Sequence, residues 1–524
     1  MNFNADQGPR VVNKWLITIA VMAGTFMEII DTTVVNVALP HMAGSLSAGV
    51  DEATWVLTSY LVSNAIVLPI TGWLSALLGR KRFLMICLVL FTGSSMLCGS
   101  APNLGSLIVF RIFQGIGGGA LQPISQAILL ESFPVRERGM AMAIWGIGVV
   151  FAPIIGPLLG GWITDNLSWR WAFYINFPVG VLSLVMTALF IFDPEYIKKQ
   201  KAGSIDYVGL AFLVIGLGCL QVVLDKGERE DWFSSAFIVR LAIMSISALI
   251  LLIWWELKTK HPVVDLRLFK ERNYAAGVTI MFFFGFVLYG SIMLLPLYLQ
   301  TIMGYDATTA GWALAYGGLG SLLVLPIVGR LTQVMDGRWL VGAGLVINTV
   351  AVYLMSNYNT QIDYFTAWWP RFIQGFGLGT TFVSLTTLTM SRISQEKMGN
   401  ATGIFNLMRN LGGSFGIATA ATLLSRRAQF HQSHLVEHLT PLNLPFQAWQ
   451  ERMGKVFTWL PPDWQWWQFK QPLAGLYVEV QRQARMLAFC DDYWFFTLLF
   501  LALLPLVLLM RRAPEGTPGP GPGH

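Results

Sequence analysis

Apolar stretches of about twenty residues, each long enough to cross roughly 30 Å of hydrocarbon as a helix, recur along almost the whole chain. No water inside hydrocarbon satisfies backbone N–H and C=O groups, so segments of this kind must close their own hydrogen bonds as helices. Fourteen spans are read: 15–40, 54–78, 83–101, 105–130, 139–163 and 171–192, then 205–224 and 236–257, then 274–300, 308–332, 338–356, 365–390, 399–424 and 493–510. Only 12% of the 524 residues are Asp, Glu, Lys or Arg while 54% are apolar, so the predicted class is an all-α polytopic membrane protein. No cleavage-site pattern follows the first apolar run, which reads as a retained signal anchor and first span.

Orientation follows from the positive charges, because loops rich in Lys and Arg stay in the cytoplasm. The N-terminus and the even-numbered loops hold most of them, including Arg80, Lys81, Arg82, Arg136, Arg138, Lys258, Lys260 and Arg330, whereas the short odd-numbered loops hold only Arg170, Lys226 and Arg229. Both termini are therefore expected in the cytoplasm. The formal net charge of +6 is spread over many short segments instead of forming one face, which excludes a nucleic-acid-binding reading. Cys87, Cys98, Cys219 and Cys490 give no disulfide or metal framework.

One short phrase occurs twice. Phe110-Arg111-Ile112-Phe113-Gln114-Gly115 is echoed by Pro370-Arg371-Phe372-Ile373-Gln374-Gly375, 260 residues later. Gly72 and Gly329 stand at a similar separation, so the chain reads as two homologous halves with a pseudo-twofold relation. The seventh and eighth spans have no counterpart. The organisation is thus six plus two plus six: an N-terminal bundle at 1–203, two additional helices at 204–262, and a C-terminal bundle at 263–524. A long outer loop at 425–492 carries Trp449, Trp459, Trp464, Trp466 and Trp467. It reads either as an interfacial helical hairpin resting on lipid or as a docking site for a partner protein. The Gly/Pro tail from Gly516 to His524 reads as disordered.

Charges inside spans are costly and mark function by default. Glu28 and Asp31 are three residues apart, hence on one face of the first span. At a rise of 1.5 Å per residue Asp31 lies about 14 Å inward and Arg111 about 9 Å, depths that permit pairing. Burial raises a carboxyl pKa and a nearby arginine lowers it, so an acid whose arginine moves in and out of reach can load and release a proton. The alternative is a static ion pair that only fixes helix packing. In the fifth span Pro153, Gly156, Pro157, Gly160 and Gly161 read as a bent hinge or a tight helix seam. Gly72, Gly79, Arg80, Lys81 and Arg82 close the second span and read as a cytoplasmic gate or as plain topology signals. Asn36, Gln114, Arg371, Gln374, Asn406 and Arg409 are the polar candidates for lining a cavity.

Other patterns are weaker. Gly115, Gly117 and Gly119 imitate part of a dinucleotide fingerprint but sit in an apolar helix with no preceding strand. His431, His434 and His438 share a helical face in the outer loop, which reads as a solvated face sooner than a metal site. Gly454-Lys455 lacks the rest of a phosphate loop, so neither ATP nor any other cofactor is expected, and the chain is not read as an enzyme.

Taken together these residues resemble the major facilitator superfamily, and within it the fourteen-span drug:proton antiporters of the EmrB/QacA family, EmrB-like branch. Asp31-Thr32-Thr33-Val34-Val35-Asn36-Val37-Ala38-Leu39-Pro40 resembles the family's first-span motif, Arg111 with Gln114 and Gly115 its proton-coupling motif, and Pro153 to Gly161 its antiporter motif. Trp169-Arg170-Trp171, Phe173, Asn176 and Pro178 follow as in the family, as do Leu224-Asp225, Asp231-Trp232-Phe233, Gln483-Ala484, Leu487-Ala488-Phe489, Asp491 and Tyr493. Two positions depart: Ala76 stands where the second-span motif carries an aspartate, and Glu28 where many relatives carry a neutral residue. The resemblance implies outward movement of hydrophobic or amphipathic drugs in exchange for inward protons by rocking of the two halves. It also implies the bacterial inner membrane as the location, and a periplasmic membrane-fusion adaptor and an outer-membrane channel as partners. The rival functions are a dedicated exporter of one metabolite, such as a fatty acid or siderophore, and a non-transporting sensor or scaffold.

Overall fold

Side chains that alternate between lipid and protein around each helix give the chain its shape. The computed structural model describes residues 13–193, 206–259, 262–437, 439, 444–456 and 465–512. Six helices come first: α1 (Lys14–Ser45), α2 (Trp55–Leu78), α3 (Arg80–Gly99), α4 (Leu104–Ser132), α5 (Arg138–Asn166) and α6 (Trp171–Phe190). α7 (Tyr207–Lys226) and α8 (Ala236–Lys258) follow. The last six are α9 (Arg272–Thr301), α10 (Ala307–Val334), α11 (Gly337–Met355), α12 (Tyr364–Met390), α13 (Met398–Glu437) and α14 (Gln465–Leu508). Helix starts follow capping chemistry: Asp306, Asp336 and Asp363 accept hydrogen bonds from the free amides that open α10, α11 and α12, and Asn103 with Ser106 forms a capping box before α4.

Among the described residues eleven of these helices are long and apolar enough to cross a membrane. The exceptions are α5, α12 and α13. Helix α12 buries Arg371, Gln374, Thr380, Thr381 and Thr386, and α13 buries Asn406 and Arg409, so protein rather than lipid surrounds their polar faces.

The packing repeats itself. In the first set α1 packs on α5, α4 and α6, and α4 on α2 and α3; in the last set α9 packs on α13, α12 and α14, and α12 on α10 and α11. The two sets meet through α2 against α13 and α5 against α10. Helices α7 and α8 pack on each other, and α7 also leans on α2 and α13.

Contacts between the sets gather toward the ends of the helices that carry the chain termini. A β-carbon on Gly72 would lie 2.2 Å from the backbone nitrogen of Asn400, and one on Gly139 would lie 1.8 Å from Thr332 Oγ1, so α2 touches α13 and α5 touches α10 backbone to backbone or nearly so. Trp145 of α5 stacks on Phe382 of α12 with ring centroids 5.5 Å apart. Farther from the termini Asn36 on α1 and Trp162 on α5 are exposed.

The stretch expected to be a loop at 425–492 is largely a continuation of the spanning helices. Helix α13 runs on to Glu437 and α14 begins at Gln465, with a separate helix over Leu444–Val456. Asp491 of α14 bonds both Arg427 and His431 of α13, the latter at 2.7 Å, which ties the two helices together. Unbroken i to i+4 bonding costs less than the isolated turns a loop would need, and nothing in the sequence there breaks a helix before Pro441. Of the tryptophans and histidines in this stretch, Trp459, Trp464 and His438 lie outside the described residues, as do the side chains of Trp466 and Trp467 and the tail from 513. No metal-ligating cluster occurs among the described residues.

Candidate functional site

The first repeat of the duplicated phrase builds a dry polar cluster inside the N-terminal set. Asp31 and Arg111 are both 0% exposed. Arg111 Nη1 donates to Asp31 Oδ2 at 2.7 Å and to Gln114 Oε1 at 2.8 Å. Gln114 Nε2 and Asn176 Nδ2 donate to the other carboxylate oxygen at 2.8 and 2.7 Å. Arg111 Nε reaches the Val56 carbonyl at 3.1 Å, and its guanidinium lies over the Tyr60 ring at 4.1 Å. Helices α1, α2, α4 and α6 thus converge on one carboxylate. Two amide donors and a guanidinium compensate its desolvation, whereas an unpaired charge at such a depth would cost several kcal/mol.

Glu28, one turn closer to the N-terminus, belongs to a second cluster. It accepts from Tyr60 Oη at 3.0 Å, Asn64 Nδ2 at 3.3 Å and Gln122 Nε2 at 2.7 Å. Gln122 in turn accepts from Arg409 of α13. Tyr60 joins the clusters, with its ring under Arg111 and its hydroxyl on Glu28. Beside it Asn406 of α13 donates to Gln126 Oε1 of α4 at 2.7 Å, a second bond between the two sets.

The second repeat makes a related cluster without an acid. Arg371 and Gln374 bond each other, and both donate to Ser291 Oγ, at 3.2 and 3.3 Å. Ser291 lies 260 residues after Asp31, the same interval that separates Arg111 from Arg371 and Gln114 from Gln374. Three polar positions are therefore duplicated together, and one carboxylate has become a hydroxyl.

In this conformation Gln114, Arg371 and Gln374, expected to line a cavity, are instead enclosed between packed helices. Asn406 and Arg409 are buried too, but in the seam between the sets; Asn36 is exposed. Helix α5 stays unbroken from Arg138 to Asn166 through the proline positions, whose side chains lie outside the described residues. Gly156 and Gly160 let α5 lie against Thr33 and Val34 of α1, while Gly161 faces open space. This is a close seam within one set.

At the termini side Arg80 bonds Ser75 at 2.7 Å and Glu131 at 2.6 Å in a buried pair, and its guanidinium touches the position of Gly399 in the first turn of α13. Glu131 thus supplies an acid to the arginine that lacks one at Ala76. Gly79 turns with φ at +89°, a conformation that suits glycine, and Asp193 accepts from the Lys81 amide at 2.8 Å beside it. Arg82 is exposed. Sequence reasoning missed Tyr60, Asn64, Gln122, Gln126 and Glu131 as site residues. Only the fixed 260-residue interval, extended to Ser291, offered a signal for any missed member.

Comparison with known proteins bears on what this arrangement does. The Major Facilitator Superfamily profile matches residues 21–417. The chain is 37% identical over 506 residues to the multidrug export protein EmrB of Haemophilus influenzae, covering 96% of each chain. It is 37% identical over 511 residues to EmrB of Escherichia coli K12, covering 97% of each. It is 36% identical over 500 residues to the fatty acid resistance protein FarB of Neisseria gonorrhoeae, covering 94% of this chain and 96% of that one. Among solved structures, the human organic anion transporter MFSD10 superposes with a TM-score of 0.57 at 14% identity, over 94% of this chain and 100% of that one. The proton:xylose symporter XylE superposes with a TM-score of 0.57 at 15% identity, over 80% and 90%. The structural matches speak for the fold.

Proposed function

We propose a mechanism for a chain that belongs to the major facilitator superfamily, as an EmrB-like multi-pass membrane exporter of drugs and not an enzyme: export is driven by protons that enter through Asp31 and Arg111. The observation that carries this reading is the enclosure of that pair, with Gln114 and Asn176, in one half only. Protonating Asp31 removes the charge that holds Arg111, and the freed guanidinium must find other acceptors, so the cluster has two stable arrangements keyed to one proton. A potential of roughly 150 mV supplies about 3.5 kcal/mol per charge moved, enough for a gradient of a few hundredfold.

The remaining parts take these places. Residues 1–203 and 263–524 are the two moving halves and 204–262 the added pair. The termini lie in the cytoplasm of the inner membrane, so the described conformation, closed by Gly72 and Gly139, is closed to the cytoplasm. Gly156 and Gly160 keep α5 bound to α1 as one body, and Gly79, Arg80, Lys81 and Arg82 form the latch. The extension of α13 and α14 is the docking surface for a periplasmic adaptor and outer-membrane channel. Replacing 438–464 by a short Gly/Ser linker is expected to abolish co-purification with that adaptor and leave insertion intact; retained co-purification would refute the assignment.

The central test is drug-evoked proton release from proteoliposomes. The wild type is expected to release protons on drug addition, and Asp31→Asn to release none while still binding drug. Undiminished release in Asp31→Asn would sink the proposal. The similarity to FarB favours a second reading, with fatty acids as the transported compounds. Competition between a fatty acid and unrelated drugs for the same flux separates the two.

A further inference from the structure

We propose that Glu28 is the binding site for an organic cation and that Arg409 is the protein's own cation, which displaces the substrate when the cavity opens outward. The inference rests on the rocking-halves reading above and adds a substrate class and a release step to it. Glu28 is 3% exposed and accepts three hydrogen bonds, two from α2 and one from α4. On its own helix the nearest charge is Asp31, which is taken by Arg111. Helices α5 and α6, which also pack on α1, bring no side chain within hydrogen-bonding distance of it among the described residues. The positive charge that faces Glu28 comes from the other half: Arg409, with Gln122 between them, its amide nitrogen on Glu28 and its oxygen on the guanidinium.

Arg409 is itself short of partners. It is 4% exposed, its Nε has no acceptor, and among the described residues no carboxylate lies within ion-pair distance of it. A buried guanidinium in that condition is stabilised chiefly by the nearest anion, which is Glu28 through one amide. The chain Glu28–Gln122–Arg409 crosses from α1 to α13, so it exists only while the halves meet on the termini side.

Separation there carries Arg409 away with α13. Glu28 is then left at the middle of the membrane with hydrogen bonds but no counter-charge, facing the gap that α13 has vacated. An amphipathic cation entering from the termini side fills that gap and replaces the guanidinium. When the halves close again, Arg409 returns, competes for the same carboxylate, and lowers the cation's affinity as the opposite side opens. The sign suits export: tight binding on the termini side, weak binding on the other.

Tetraphenylphosphonium and tetraphenylborate have the same shape and opposite charge, so they report the charge of the site alone. With the full-length protein in nanodiscs, Glu28→Gln is expected to weaken tetraphenylphosphonium binding by about tenfold or more, and Arg409→Gln to strengthen it by a similar factor. Arg409→Lys keeps the charge and is expected to stay near wild type, which controls for misfolding. In a Glu28→Gln background, Arg409→Gln is expected to have no further effect on the phosphonium. Neither change is expected to strengthen and weaken borate binding in that same pattern. Unchanged phosphonium affinity in Glu28→Gln, or an Arg409→Gln effect that persists without Glu28, would overturn the proposal. Proton release is scored separately: its absence in the wild type, with the binding shifts intact, removes the proton-exchange reading and leaves the cation site standing.

Discussion

The two halves of this protein use the same frame and fill it differently. Arg111 and Gln114 of the first half have Arg371 and Gln374 as their equivalents, yet the first pair closes on Asp31 and the second on Ser291. A neutral pair results on one side and, among the described residues, a guanidinium with hydrogen bonds but no counter-charge on the other; each arginine leaves one buried nitrogen without an acceptor, Arg111 Nη2 and Arg371 Nε. Duplication preserved the costly arginine in both halves, but only in the first does a carboxylate lie against it among the described residues. Under the proposed mechanism the first half responds to protons, while the second holds its arginine in packing.

The largest effect expected from this contrast is on the arginines. In the first half Arg111 serves a carboxylate, an amide and a backbone carbonyl at once while lying flat on Tyr60. A lysine ammonium has no planar fork to do this. Arg111→Lys should lower drug-driven proton flux by about a hundredfold, whereas Arg371→Lys, with only a hydroxyl and an amide to satisfy, should lower it no more than about threefold. Equal losses in a proteoliposome flux assay would show that both halves couple.

A sharper experiment moves the acid. Placing Ser291→Asp beside Arg371 restores the first half's chemistry in the second, and on its own it should raise thermal stability by compensating a buried charge. Combined with Asp31→Asn it should not restore proton release, because the described donors to Ser291 are Arg371 and Gln374 of α12, with no equivalent of the Asn176 donor from a further helix. Recovery of even a tenth of wild-type flux would mean that an arginine with any adjacent acid suffices.

Much of this was legible in the sequence, and the reasons are physical. Fourteen helices, their order and the six-plus-two-plus-six plan follow from apolar length and one repeated phrase, because lipid leaves helices as the solution for such segments. The pairing of Asp31 with Arg111 followed from depth. The amides were not legible: Gln122 reads as any polar residue on a helix, and only packing shows that it stands between Glu28 and Arg409. The long outer stretch was legible as helical, but not as a continuation of α13 and α14, because the pairing of Asp491 with Arg427 and His431 that ties the two helices joins residues far apart in sequence. Glu131 was not legible as the partner of Arg80 for a related reason, since it is distant in sequence from the arginine it serves.

The motif glycines extend the comparison to the closed seam at a smaller scale. A β-carbon on Gly72 would collide with the Asn400 backbone at 2.2 Å, while one on Gly329 would meet the Ala143 side chain at 2.9 Å and the Met140 α-carbon at 3.2 Å. Neither neighbour can swing aside, since an alanine β-carbon is as fixed as backbone, so the shorter contact demands the larger shift. Gly72→Ala should therefore cost the described conformation about 1–3 kcal/mol and shift the population toward the opposite one, with Gly329→Ala near the lower end of that range. Spin-label distances across α2 and α13 read the shift. Equal displacement by the two variants would show that the seams are equivalent.

The smallest effect separates the two glutamines. Gln114 holds both members of an ion pair, so Gln114→Ala removes a donor from Asp31 and an acceptor from Arg111. Gln374 holds Arg371 against a hydroxyl and touches no carboxylate. Side-chain hydrogen bonds between membrane helices are worth about 0.6 kcal/mol on average, so Gln374→Ala should change flux by less than threefold. Gln114→Ala should lower flux by a larger factor than Gln374→Ala, because it strips a donor from the carboxylate and an acceptor from its arginine at once. The ratio of the two losses is the measurement that distinguishes the halves: equal losses of drug-driven proton flux in both variants would mean that the cluster around Asp31 does not carry the coupling.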